Sequence, residues 1–175
     1  MKKVMGMGCI LATAILSVWA EDFRFDSVGG HYGFSAAGRT HEFQQTEAFV
    51  NWRLPGSWRF QDDWSLRPSL GVTGGWLNQY HSDALIGGTG LNLTLEKEGF
   101  PLKLLGGAGL AWLTHTTFET KEFGTPLQFT EHVGFQVEPV QHWLIGYQYQ
   151  HMSNCELSHF NPGLNLHMFS LGYGF

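Results

Sequence analysis

Charge is what this sequence has least of: Asp, Glu, Lys and Arg make up 14% of its 175 residues. The basic ones are outnumbered, 10 Lys and Arg against 15 Asp and Glu, so nothing supports nucleic-acid binding. Cysteine is nearly missing. Cys9 lies in the first twenty residues and only Cys155 remains beyond them, which excludes an intramolecular disulfide in a chain cleaved there. Beyond residue 20 there is no apolar run long enough to cross a membrane as a helix. The nine histidines are scattered, with no HExxH or paired-cysteine spacing, so no metal site and no cofactor is expected.

What is present points to strands. Aromatics reach 15% and glycines number 23, and both are poor helix formers. The first twenty residues have the build of a secretory signal. Lys2 and Lys3 open it, "CILATAILSVWA" is apolar, and Val18 and Ala20 take the small-residue positions before a cleavage site. The expected organisation is a signal peptide over 1–20 and a single domain over 21–175. Cleavage removes two lysines and no acid, taking the net charge from −5 to −7.

The mature chain alternates with a period of two. In 64–76, Trp64, Leu66, Pro68, Leu70, Val72, Gly74 and Trp76 fall on one face, and Ser65, Arg67, Ser69, Gly71, Thr73 and Gly75 on the other. The same pattern returns over 44–54, 85–95, 102–112, 127–137, 143–153 and 165–175, with 23–34 as a weaker first segment. Turn sequences such as "LPGS" at 54–57 and "EKEGFP" at 96–101 separate them. Eight such segments predict an all-β fold, an eight-stranded antiparallel transmembrane β-barrel in the outer membrane. A soluble sandwich or lipocalin-like barrel would turn the apolar faces inward. Two features speak against that: polar faces rich in Gly, Ser, Thr, Asn and Gln, which suit a narrow hydrogen-bonded lumen, and Trp and Tyr clustered at strand ends like an interfacial girdle.

On 143–153 the outward parity is odd. His151 and Ser153 therefore face the lipid, and Asn165 has the same parity on the last strand. Polar groups facing lipid are expensive and usually functional. Pairing Phe175 with Trp143 puts Asn165 opposite Ser153, with all three about 25 Å up the wall at the outer-leaflet surface. That is where lipopolysaccharide carries its ester linkages. A serine becomes a nucleophile when a histidine takes its proton, and a third polar group must hold the imidazole tautomer. The Asn154 amide and the backbone N–H groups after Ser153 are candidate oxyanion donors. The loop 114–126, "THTTFETKEFGTP", is long and polar and suits contact with a sugar.

The stretch "YQYQHMSNCELSHFNPGLN" resembles the PagL-type lipid A 3-O-deacylases, eight-stranded barrels with an H-x-S-N motif near the end of strand seven. The resemblance is strongest over 143–175, including "NPG" at 161–163 and the terminal Phe. It implies hydrolysis of the ester at position 3 of lipid A, releasing a 3-hydroxy fatty acid. Ser153 would be the nucleophile, His151 the general base and Asn154 part of the oxyanion hole. The implied partners are lipopolysaccharide and outer-membrane lipids, with a homodimer as one compatible assembly. The family's acidic third member falls on Asn165 here, which can orient a histidine but cannot offset imidazolium charge. Glu156 and Glu131 are the carboxylates that could stand in. His167 has outward parity near Asn165 and suits a supporting place. The competing reading is a non-catalytic, OmpX-like structural or adhesive barrel.

Overall fold

The computed structural model describes residues 23–36, 42–60 and 63–175. The leader assigned to 1–20 lies outside them. Eight long strands follow in chain order: β1 Arg24–Ser35, β2 Gln44–Arg53, β3 Trp64–Gln79, β4 Ser82–Lys97, β5 Leu102–Leu113, β6 Leu127–Val140, β7 Trp143–Ser153 and β8 Leu164–Gly174. Each pairs antiparallel with its chain neighbours. β1 closes the wall on β8, from Ser27↔Gly174 to Ser35↔Leu166. A two-residue ribbon, Trp58–Arg59, adds to β3 in the β2–β3 connection. Closure removes the sheet edges, so backbone polar groups along the wall find partners without water.

The expected segments are all strands, and several run further than the alternation suggested. β3 and β4 form one continuous hairpin that turns at Tyr80 and His81, with Tyr80 at φ 49°. The weak first segment is a full strand with a bulge between Phe25 and Ser27. One end of the cylinder carries Phe23, the first described residue, together with Phe175 and short turns such as 141–142. The other carries the long connections 114–126 and 154–163.

Parity sets the two faces. Trp76, Leu91, Leu104, Trp112, Val133, Ile145, Phe169 and Leu171 point outward and are exposed. Ser27, Gln45, Glu47, Ser69, Gln128, Gln148 and Gln150 point inward and are buried. A soluble barrel has the opposite arrangement. A continuous apolar outer belt on a closed wall is what a hydrocarbon solvent requires.

The interior is only in part the narrow hydrogen-bonded lumen expected. Its half near Phe23 and Phe175 is polar, with ion pairs Arg53–Asp26 and Arg67–Glu96, both at 2.5 Å, and a hydrogen bond between His31 and Glu47 at 2.9 Å around a cavity of about 360 Å³. The half under the long connections is mostly apolar, with Gln79, Gln128 and Asn154 buried at its end. Phe43, Leu77, Ile86, Leu113, Met152, Leu164, Leu166 and Met168 fill it, together with Phe118 and Phe123 from the 114–126 connection.

The β7–β8 register also corrects an expectation. Trp143 pairs with Tyr173 rather than Phe175, so Asn165 stands opposite His151 and not opposite Ser153. Phe175 runs one residue past the strand, where its N–H donates to the Asp26 carbonyl at 3.0 Å.

Candidate active site

β7 delivers two of the site residues. Along it the even positions Gln148, Gln150 and Met152 are buried, whereas His151 and Ser153 on the odd face are partly exposed on the outer wall. The neighbouring strands meet them directly. Glu131 of β6 pairs with His151 and Phe129 with Ser153. Asn165 of β8 pairs with His151 from the other side. His151 Nδ1–H donates to Asn165 Oδ1 at 2.6 Å. With Nδ1 carrying the proton, Nε2 keeps its lone pair, the form a general base needs. Among the described residues the Ser153 hydroxyl makes no hydrogen bond.

The two substitute carboxylates are placed differently. Glu131 shares the cross-strand row of His151 but forms no ion pair with it. Glu156 is exposed in the 154–163 connection, in the left-handed region at φ 65°. Neither takes the position that Asn165 holds. His167 does face outward near Asn165, but its ring is hydrogen-bonded to the Tyr147 hydroxyl at 2.7 Å and stacks on Tyr147.

Asn154 does not fit the oxyanion role expected of it. Its parity is even, so its side chain turns inward and is fully buried. Nδ2 donates to the carbonyls of Phe123 at 2.8 Å and Phe160 at 2.6 Å. Its backbone N–H donates to Asn161 Oδ1 at 3.0 Å. Every donor of Asn154 is committed, and the residue anchors the 154–163 connection to the 114–126 connection. Sequence reading missed Asn161, although it stands in the "NPG" turn already singled out.

That turn lies against the imidazole. Gly163 has φ +61°, and a Cβ built on it would stand 3.0 Å from His151 Cε1 and 3.7 Å from Nε2. Only a residue without a side chain leaves this edge of the ring open in that backbone conformation. The Gly163 carbonyl accepts from Lys121 Nζ at 2.6 Å.

Lys121 belongs to the 114–126 connection, which is a small folded cap rather than the open polar loop expected. Thr117 and Glu122 bridge across it, and Phe118 and Phe123 drive into the apolar interior. Hydrogen bonds from the Thr117 hydroxyl and, at 2.9 Å, the Gly124 N–H hold the Glu122 carboxyl below the usual carboxylate range. Burial pushes the Lys121 ammonium down from its ordinary value.

The family described as Lipid A 3-O-deacylase (PagL) matches residues 45–174. The chain belongs to the PagL family. The curated Lipid A deacylase PagL of Bordetella bronchiseptica is 27% identical over 134 residues, covering 72% of this chain and 74% of that protein. Among solved structures, the crystal structure of the outer membrane enzyme PagL superposes with a TM-score of 0.73 at 16% identity, over 85% of this chain and 99% of that one. A de novo designed transmembrane β-barrel gives a TM-score of 0.50 at 15% identity, over 86% and 95%. PagL membership decides between the two readings of the sequence: the chain is a carboxylic ester hydrolase on an outer-membrane barrel, not a non-catalytic OmpX-like wall.

Proposed function

We propose that this chain hydrolyses the ester at position 3 of lipid A and releases a 3-hydroxy fatty acid. The reaction takes place on the outside of the barrel, with Ser153 as nucleophile, His151 as general base and Asn165 as the group that fixes the imidazole. The observation that carries this reading is the His151 Nδ1–H bond to Asn165 Oδ1 on the lipid-facing wall, two residues from Ser153.

His151 Nε2 takes the Ser153 proton as Oγ attacks the ester carbonyl carbon. The tetrahedral intermediate collapses with loss of the sugar 3-oxygen, which collects the proton from Nε2. Water, deprotonated by the same nitrogen, then attacks the acyl-serine carbonyl, and the departing Ser153 Oγ takes that proton back from Nε2 as the fatty acid is freed. The Ser153 contact with Nε2 forms as the ester seats, since catalytic hydrogen bonds tighten in the substrate complex. With Asn154 committed to the interior, the oxyanion donor falls to Asn161. Its Oδ1 is held by the N–H next to Ser153, which leaves Nδ2 as a donor beside the nucleophile.

Mass spectrometry of lipid A from cells expressing the parent chain, Ser153→Ala and His151→Ala tests this. The parent gives a species lacking one 3-hydroxyacyl chain and both variants give intact lipid A. Identical spectra from all three overturn the assignment.

A further inference from the structure

The catalytic strand ends in a connection tied to the cap at two points. Asn154 Nδ2 donates to the Phe123 carbonyl at 2.8 Å, and Lys121 Nζ donates to the Gly163 carbonyl at 2.6 Å. The first tie lies inside the barrel. The second lies at the site, because Gly163 is the residue set against the Cε1–Nε2 edge of His151. The same short turn carries Asn161 at its other end, held through Oδ1 to the Asn154 N–H.

Lys121 is built into this place. It is half-buried, and its ammonium lies 5.7 Å from the centroid of the Phe43 ring, itself buried beneath the cap. A lysine that only made the cap soluble would extend into water. Here the flexible side chain is spent on one backbone carbonyl in the other connection, a constraint that costs rotamer freedom. Burying an ammonium is unfavourable unless it is hydrogen-bonded, and the Gly163 carbonyl is the acceptor it has.

We infer that Lys121 is a positioning residue of the esterase site, acting through the Gly163 carbonyl to hold the 161–163 turn against His151. The inference rests on the proposed roles of Ser153 and His151. Without the tie, the turn moves relative to the imidazole edge and takes the Asn161 amide with it. The loss then falls on the chemical step, since a displacement of about 1 Å at reacting groups costs up to about 10²-fold. Substrate affinity, which the long acyl chains supply through the membrane face, changes little.

The test uses the refolded full-length mature chain and lipid A in mixed micelles, following release of 3-hydroxy fatty acid, with Lys121→Met, Lys121→Arg and Ser153→Ala side by side. Barrel folding is scored by the faster migration of unheated samples in gels. Expected for Lys121→Met is a fall in kcat of about tenfold or more with KM within about twofold, the pattern of a transition-state defect. Lys121→Arg, which keeps a charged donor, recovers most of the loss. If Lys121→Met does not fold, Lys121→Gln, which is too short to reach Gly163, carries the same expectation. Unchanged kcat, or a loss confined to KM that Arg does not repair, overturns the inference while Ser153→Ala remains inactive. If Ser153→Ala keeps activity, the assignment of the site fails and the role of Lys121 fails with it.

Discussion

His151 and Asn165 face each other across the β7–β8 ladder, and the 2.6 Å bond between Nδ1 and Oδ1 sets which nitrogen of the ring is free. In a serine protease triad, replacing the Asp by Asn costs about 10⁴ in kcat because the wrong tautomer results. Here the amide presents its oxygen, so the tautomer is the productive one. In the proposed mechanism, what Asn165 lacks is charge to offset the imidazolium that would form in the transition state.

Asn165→Glu therefore raises kcat, by about tenfold if the carboxylate adds about 1.4 kcal/mol of transition-state stabilisation. Asn165→Leu, which cannot accept the Nδ1 proton, lowers it by about 10²-fold or more. Rates of fatty-acid release measure both. Glu131→Gln and Glu156→Gln stay within about twofold of the parent, because neither carboxylate is bonded to His151. A large loss in either one would move the third member of the site to that residue.

Asn154→Ala separates an anchor from an oxyanion donor. The substitution takes the Asn154 donor from the Phe160 carbonyl and one of several donors from the Phe123 carbonyl, which keeps the Thr125 N–H at 2.9 Å, and costs about 1–3 kcal/mol in stability. Urea unfolding of the barrel in lipid vesicles reads that loss. If stability holds and only kcat collapses, the side chain belongs to the oxyanion hole after all.

The cap responds to acid through Glu122. Its pKa in the folded chain is lowered, so its bonds to Thr117 and Gly124 favour the folded cap above the unfolded carboxylate value of about 4.3. That contribution is lost as pH falls through the folded value. Hydrogen-exchange protection of the 116–124 amides should drop as pH falls below about 4.3. Glu122→Gln should remove that part of the pH dependence. Protection that changes equally in both chains would assign the effect to other groups.

The barrel was legible because lipid and lumen impose a period of two, and each segment from Trp64 to Trp76 or from Trp143 to Ser153 announces its faces. The same periodicity hid the register. A slip of two residues leaves every side chain on its proper face, so parity could not tell Tyr173 from Phe175 as the partner of Trp143. Only the hydrogen bonds at the turn settle it, with Gly174 N–H donating to the His142 carbonyl at 2.8 Å. Asn154 could have been placed better, since its even number already put it inside. Met152, Leu164, Leu166 and Met168 likewise showed, by parity, an interior that turns apolar toward one end. Lys121 and Gly163 could not be joined from the sequence. They are forty-two residues apart, in connections that have no periodicity to read.

A hollow strand cylinder is ordinarily a leak. In this one, the polar half holds a cavity lined by the Arg53, Glu47 and His31 side chains. Next to it are Phe43, Leu113, Phe123 and Met152, whose buried apolar side chains offer water no hydrogen bond. An apolar plug of this kind opposes the passage of ions and polar solutes through the wall, so the cylinder need not cost its host bilayer a permeability barrier.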